Sequence, residues 1–168
     1  DLATELSAHH RVICPDYIGR GLSDRADKSA RYEPRNMLGD ILAMAAALNL
    51  HDCVFIGTSL GGFLTMGLAV ISPTLLKAAV LNDVGPELDP DGLSGLATYF
   101  GVMHRFVKFG DLEAELRKHY AGFGIDSEDA WRQLALDSAR RLPDGSWTYH
   151  YDPRIGEQFI HDTPRDTW

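Results

Sequence analysis

The sequence contains little cysteine and no long hydrophobic run, and each shortage excludes a class of protein. Its 2 cysteines, Cys14 and Cys53, are too few for a disulfide framework. Both lie in apolar segments, which favours small buried side chains over metal ligands. No apolar stretch reaches the ~18 residues that a membrane helix requires. We therefore expect neither a metal site nor a membrane partner.

Basic residues are also fewer than acidic residues. The 168 residues include 16 Lys+Arg and 24 Asp+Glu, so the formal net charge is -8. This charge repels phosphate backbones and anionic lipid headgroups, and we expect no nucleic-acid partner. The opening residues, DLATELSAHH, lack a basic leader and an initiator Met, so we expect the natural N-terminus to lie upstream. A cytoplasmic location is our expectation.

The order of the predicted elements in the first half indicates an α/β fold. Apolar residues at helical spacing predict helices over residues 2–8, 35–48 and 63–71. Short apolar runs predict strands over residues 11–16, 53–57 and 77–83. Strands that alternate with helices pair in parallel, because a crossover helix returns the chain to the same edge of the sheet. The sequence therefore predicts a mostly parallel sheet with crossover helices.

Beyond Asp83 the pattern becomes helical, and no further strand is predicted. Apolar spacing predicts helices over residues 93–107, 112–120 and 130–142, and the segment DGSWTYHYDPRI predicts a turn followed by an extended piece. We expect these helices to form a cap over the sheet. The predicted domains are a partial core over 1–87, a helical cap over 88–162, and the start of a return to the core over 163–168.

Residues 57–61, GTSLG, fit the G-x-S-x-G pattern of a nucleophile elbow. In this motif the serine lies on a tight turn between a strand and a helix, with its hydroxyl exposed above the sheet. Ser59 lies between a predicted strand and a predicted helix, as the motif requires. Side chains at Gly57 and Gly61 are expected to collide with neighbouring backbone. The backbone N–H of Leu60, at the start of the helix, is expected to stabilise an oxyanion.

This segment has two alternative interpretations. A tight turn with a purely structural serine remains open. A phosphate-binding loop is disfavoured, because GTSLGGF has neither the Gly-Lys-Ser/Thr of a P-loop nor the G-x-G-x-x-G spacing. We therefore expect no cofactor, and we interpret Ser59 as a catalytic nucleophile.

Several motifs together make the chain resemble the α/β-hydrolase family. RVICPDYIGRGLSD is similar to that family's fourth core strand and following loop, usually D-x-R-G-x-G-x-S, although Ile18 replaces the usual Arg. FIGTSLGGFLTM resembles the fifth strand with its elbow, AVLNDVGPEL the sixth strand and its exit loop, and YDPRI a late stretch of the cap. The resemblance implies that Asp16 orders the loop rather than acting as a catalytic acid.

A serine hydrolase also needs a base and an acid, in the chain order Ser, Asp or Glu, His. The resemblance implies that the histidine and the second oxyanion donor lie outside these 168 residues, and that the 168 residues alone are inactive. Asp83 ends the strand after the elbow, so it is either the triad acid or a structural carboxylate that accepts loop amides. The histidines are assigned to loops or to the cap: His9, His10, His51, His104, His119, His150 and His161.

The function predicted is hydrolysis of an ester or related acyl bond in a small-molecule substrate, through an acyl-enzyme at Ser59. Acyl transfer, hydrolysis of a C–C bond, and a non-catalytic binding domain on the same fold remain alternatives. A small apolar or ring-bearing substrate is favoured by four apolar residues of the predicted cap: Phe100, Met103, Phe106 and Val107. The sequence contains no signal for an oligomeric state.

Overall fold

The computed structural model describes residues 1–87, 96 and 99–157 of the chain. Its helices and strands, in order, are α1 (Leu2–Ser7), α2 (Pro34–Ala47), β1 (Cys53–Thr58), α3 (Leu60–Ile71), β2 (Leu76–Asn82), α4 (Phe109–His119), α5 (Glu128–Ser138), β3 (Ala139–Arg141) and β4 (Trp147–Tyr149). Short 3₁₀ helices cover Ser29–Tyr32, Pro73–Leu75 and Pro153–Glu157.

A parallel strand pair joined by a helix forms the centre of the fold. Strands β1 and β2 pair in parallel, with Val54 opposite Ala78 and Thr58 opposite Asn82, and α3 makes the crossover between them. The run CVFIGT forms β1 because its β-branched and aromatic residues favour a pleated strand, which ends at Thr58, directly before Ser59. The predicted strand-helix-strand unit and the predicted helices near 2–8 and 35–48 are confirmed.

The main core lies between the sheet and helices α2 and α3. Leu64 and Leu68 of α3 are each 1% exposed and pack in one cluster with Met37 and Ile41 of α2. Burying a leucine side chain of this kind contributes about 1.5–3 kcal/mol. Gly67 allows the two helices to approach, since a Cβ there would lie 3.1 Å from Leu38 Cδ1. Packing against α2 therefore fixes the position of α3, and with it the turn at Ser59 that precedes the helix.

The strand predicted over residues 11–16 is wrong. Residues 11–17 adopt no regular secondary structure, because no strand in the described part of the chain offers them ladder hydrogen bonds. Cys14 is exposed as a result, whereas Cys53, on β1, is partly buried, and both are free thiols. The expectation of two buried cysteines therefore fails at Cys14.

The second half packs around its own apolar cluster. Leu112 and Leu116 of α4 are buried with Ala135 of α5 and Tyr149 of β4. Helix α5 begins where the Ser127 side chain accepts a hydrogen bond from the Ala130 N–H, a capping contact that satisfies one free amide of the first turn. The helices predicted over 112–120 and from 130 are confirmed.

The helix predicted over 93–107 does not continue to its predicted end. Residues 93–95, 97 and 98 lie outside the described residues, and residues 103–105 are not helical. The Phe106 N–H donates to Trp147 O at 2.9 Å and Phe106 O accepts from the Trp147 N–H at 2.8 Å, so a strand-like bridge replaces helical bonds. Met103 and Val107 are 53% and 82% exposed, so the predicted shared apolar face is absent.

The predicted helix over 130–142 also ends early, at Ser138. Residues Ala139–Arg141 form β3, which pairs antiparallel with β4. The turn between them contains Gly145 at φ 85°, a left-handed conformation that favours glycine, and Asp144 Oδ1 accepts the Ser146 N–H at 3.1 Å. The turn and the extended piece after it were predicted, but the strand before the turn was not.

A polar junction joins the loop of residues 16–28, which we call the Asp16 loop, to residues 150–155. Asp152 is 2% exposed, and its Oδ2 accepts a hydrogen bond from Tyr32 Oη at 2.6 Å and from Arg154 Nη2 at 2.8 Å. Burial favours a higher pKa for Asp152, but the bonds from Arg154 and Tyr32 outweigh burial and lower that pKa. The ionised Asp152 carboxylate therefore links Tyr32 and Arg154 through hydrogen bonds at this junction.

The proposed division into 1–87 and 88–162 stays a prediction, and the segment 163–168 lies outside the described residues. Across 1–87, 96 and 99–157, no helix combines the length and apolar character that crossing a bilayer needs. The same residues include no group of three or more His, Cys, Asp or Glu side chains arranged to hold a metal ion.

Candidate active site

Ser59 lies on the turn between β1 and α3 in a strained backbone conformation. Its φ of 50° and ψ of -115° are rarely adopted by a residue with a side chain, and such strain costs about 1–3 kcal/mol. The turn is held from both sides, because the Ser59 N–H donates to Asn82 O and Ser59 O accepts from the Phe63 N–H, each at 3.0 Å. The residue is exposed. This is the geometry that a nucleophile elbow requires.

The glycines around Ser59 agree with the prediction at Gly57 but not at Gly61. A Cβ on Gly57 would lie 2.5 Å from both Gly61 O and Gly62 N, so the predicted collision is confirmed there. A Cβ on Gly61 would have only Tyr17 Oη within reach, at 3.9 Å, so the predicted collision at Gly61 is wrong. Gly62, which the motif does not include, is restricted instead, because a Cβ there would overlap Val84 and lie 3.0 Å from Gly57 O.

The backbone N–H of Leu60 lies at the N-terminus of helix α3. Leu60 is the first residue of α3, where the helix dipole places partial positive charge on unpaired N–H groups. Among the described residues no acceptor bonds to this N–H. The role of this amide in binding an oxyanion stays a prediction.

Asp83 lies at the same edge of the sheet as Ser59. It follows Asn82, whose carbonyl oxygen accepts the Ser59 N–H, and it has a φ of 53° and an exposed side chain. Within the described ranges, no hydrogen bond to its carboxylate is found, so the alternative of a loop-ordering carboxylate gains no support. The role of Asp83 as triad acid stays a prediction.

No histidine within the described residues forms a hydrogen bond with Ser59. His104 stacks on Phe106, and its Nε2 lies 3.3 Å from Tyr99 O. His119 Nε2 lies 3.1 Å from Glu115 Oε1. The main-chain N–H of His150 donates to Ser138 O, and His9, His10 and His51 are exposed. His161 lies outside the described residues.

The Asp16 loop passes next to the elbow. Asp16 Oδ2 accepts the Leu22 N–H at 2.9 Å, and Asp16 O accepts the Ser23 hydroxyl at 2.6 Å, so the loop-ordering role inferred for Asp16 is confirmed. Gly21 leaves space for that carboxyl group, which a Cβ would overlap. Tyr17, which the sequence analysis did not single out, places its hydroxyl over Gly61. Its position directly after Asp16 was the only available signal.

The comparisons with known proteins agree with this geometry. The sequence profile of the alpha/beta hydrolase fold matches residues 1–144. The chain belongs to the α/β-hydrolase fold family, and the predicted fold class is confirmed.

Individual relatives are named hydrolases. The chain is 34% identical over 166 residues to a 3-hydroxybutyrate-oligomer hydrolase of Cupriavidus necator, covering 97% of this chain and 57% of that protein. It is 32% identical over 97 residues to a 2-hydroxy-6-oxo-2,4-heptadienoate hydrolase of Pseudomonas putida, covering 56% of this chain and 35% of that protein. The crystal structure of an α/β hydrolase from Novosphingobium aromaticivorans superposes with a TM-score of 0.88 at 36% identity, covering 98% of this chain and 59% of that one.

Proposed function

We propose that the chain is the nucleophile-bearing part of a serine hydrolase that cleaves an ester or related acyl bond. The observation that carries the proposal is the strained, exposed Ser59 on a strand-helix turn. The Leu60 N–H beside it has no acceptor among the described residues. Backbone strain in a residue with a side chain persists only where the surrounding structure enforces it, and such residues cluster at functional sites. The relatives named as hydrolases support the same class of reaction.

In the proposed reaction, the Ser59 hydroxyl oxygen attacks the carbonyl carbon while a base takes its proton. The carbonyl electrons move onto oxygen, and the Leu60 N–H donates a hydrogen bond to that oxyanion. The oxyanion collapses, the bond to the leaving alcohol breaks, and the alcohol takes the proton from the base. Water then attacks the acyl-enzyme by the same steps and releases the acid. We propose that the base is a histidine outside the described residues.

A serine-directed probe tests this proposal. We expect a fluorophosphonate to label a full-length protein of the relatives' size at Ser59, because an activated serine displaces fluoride and becomes phosphonylated. Peptide mass spectrometry locates the adduct. A Ser72→Ala variant, at the other end of α3, serves as a control and should label normally. Labelling that survives Ser59→Ala at full stoichiometry would contradict the proposal.

Asp83→Asn tests the triad acid separately. If Asp83 orients the base, the amide should lower kcat by ~10⁴-fold, the loss seen when a triad acid loses its charge. Our expectation is instead that kcat falls by less than about tenfold, because more members of the resembled family place the acid after a later strand. Steady-state kinetics with 4-nitrophenyl butyrate and a melting curve decide. A folded variant with the larger loss would assign the acid to Asp83.

Hydrolysis of a carbon-carbon bond is a second candidate for the same serine. It is supported by the relative named 2-hydroxy-6-oxo-2,4-heptadienoate hydrolase, because the compound in that name contains no ester group. Acyl transfer to an alcohol and a non-catalytic binding role gain no support of this kind. Product analysis with an ester and with a vinylogous diketone separates the two hydrolytic reactions.

A further inference from the structure

Asn82, the last residue of β2, contacts the elbow with both its main chain and its side chain. Its carbonyl oxygen accepts the Ser59 N–H at 3.0 Å. Its side-chain Nδ2 donates to Thr58 Oγ1 at 3.3 Å. The G-x-S-x-G motif does not include Asn82 and leaves position 58 unspecified. One residue at the end of β2 therefore bonds to two consecutive residues of the nucleophile turn.

Both bonds lie where the parallel strand pair ends. Thr58 and Asn82 are the last paired positions of β1 and β2. The residues that follow them, Ser59 and Asp83, have φ values of 50° and 53°, so both chains turn away from the ladder at the same level. Any residue at position 82 could accept the Ser59 N–H through its main chain. The side-chain bond, by contrast, requires hydrogen-bonding side chains at both 58 and 82.

The strained turn depends on its neighbours to hold its conformation. A residue with a side chain keeps a conformation such as that of Ser59 only where the surrounding structure enforces it. On the helix side, Ser59 O accepts the Phe63 N–H at 3.0 Å. On the strand side, the Asn82 side chain adds a bond to Thr58 beside the main-chain bond to Ser59. Together these two bonds hold the end of β1 against the end of β2.

The geometry of this turn matters more for reactivity than for folding. Thr58 and Asn82 are both exposed, and water competes for exposed polar groups, so their bond contributes little to stability. The rate of attack, however, depends steeply on how the reacting atoms are aligned. A small movement of the turn would therefore slow attack by the Ser59 hydroxyl while leaving the melting temperature nearly unchanged.

We propose that Asn82 is a positioning residue for the nucleophile. Its side chain, through Thr58, holds the turn in the geometry from which the Ser59 hydroxyl attacks. This inference rests on the proposed function. Asn82 takes no part in the bond-breaking steps, and it acts on Ser59 only through the turn that it holds.

A double-mutant cycle tests this role in a full-length protein of the relatives' size. The variants Asn82→Ala, Thr58→Val and the double variant are compared in the labelling of Ser59 by a fluorophosphonate and in the hydrolysis of 4-nitrophenyl butyrate. We expect each single change to lower the labelling rate constant and kcat about 3- to 10-fold, with KM within about twofold of the wild type. The double variant should lose no more than either single variant, because all three lack the same hydrogen bond.

Two further variants serve as controls. Thr58→Ser keeps a hydroxyl at position 58 and should retain most of the labelling rate. Asn36→Ala removes an asparagine whose Nδ2 donates to Ala30 O at 2.8 Å, a bond that involves no residue of the elbow, and it should label at the wild-type rate. The variants at 58 and 82 should melt within a few degrees of the wild type.

Several outcomes would overturn the positioning role while Ser59 remains the nucleophile. These are single variants that label at the wild-type rate, losses that multiply in the double variant, and a loss that Thr58→Ser shares with Thr58→Val. A higher KM with unchanged kcat would assign Asn82 to substrate binding and would also overturn the role. If Asn82→Ala does not melt cooperatively, the comparison of Thr58→Val with Thr58→Ser decides.

The labelling rate separates this inference from the proposed function. A rate that depends on Asn82, in a protein that hydrolyses no ester across a panel of acyl chain lengths, would support the positioning role and overturn the hydrolase proposal. Failure of the unsubstituted protein to label at Ser59 would overturn both.

Discussion

Replacing Ser59 with alanine is expected to lower turnover by ~10⁴-fold or more in a full-length protein of the relatives' size. Without the hydroxyl there is no atom to form the acyl-enzyme, and the remaining rate depends on water attack assisted by binding and by the Leu60 N–H alone. Hydrolysis of 4-nitrophenyl butyrate, followed to low rates with purified variant, measures the loss. A variant that retained most of its activity would end the serine-hydrolase interpretation.

This change should leave the fold intact. Alanine has the same Cβ as serine, so the strain of the positive φ is unaltered, and the hydrogen bonds at the turn use the main chain of Ser59 only. The melting temperature should therefore stay within a few degrees of the wild type. Ser72→Ala is the matched control, because Ser72 directly follows α3, so the change removes a serine hydroxyl near the same helix without touching the elbow.

The sequence predicted the segments whose conformation depends mainly on interactions between residues close together in the chain. Strand β1, the turn at Ser59 and helix α3 each follow from short-range patterns: an apolar run, glycines at fixed spacing and a 3.6-residue period. The crossover to β2 follows from their order alone. For the same reason the sequence predicted that a helix begins directly after Ser59, and the structure has Leu60 as its first residue.

The errors occur where distant residues decide the local conformation. Residues 11–16 have the composition of a strand, but a strand exists only where a ladder partner is present. Phe106 fits a helical period, yet its main chain bonds to Trp147, far along the chain. The junction at Asp152 was not predicted for the same reason, because its partner Tyr32 is 120 positions away and the YDPRI motif gives no sign of that contact.

The glycines of the elbow lead to the second large effect. Gly57→Ala is expected to destabilise the protein by about 3 kcal/mol or more, which lowers the melting temperature by roughly 6–12 °C. The new Cβ would lie 2.5 Å from Gly61 O and Gly62 N, and these are main-chain atoms in the first turn of α3 that cannot rotate away. The helix start must move, so Leu60 and Ser59 lose their alignment and activity should fall with stability.

Gly61→Ala is the matched control, since Gly61 belongs to the same motif but lies in open space. Its Cβ would meet only the Tyr17 hydroxyl, at an ordinary 3.9 Å, and alanine favours a helix over glycine by about 1 kcal/mol. Its melting temperature should therefore equal or exceed that of the wild type, while Gly57→Ala melts well below it. Equal losses of stability in the two variants would mean that the motif requires glycine at both positions for its main-chain conformation. The steric explanation for Gly57, which rests on its contacts with α3, would then be wrong.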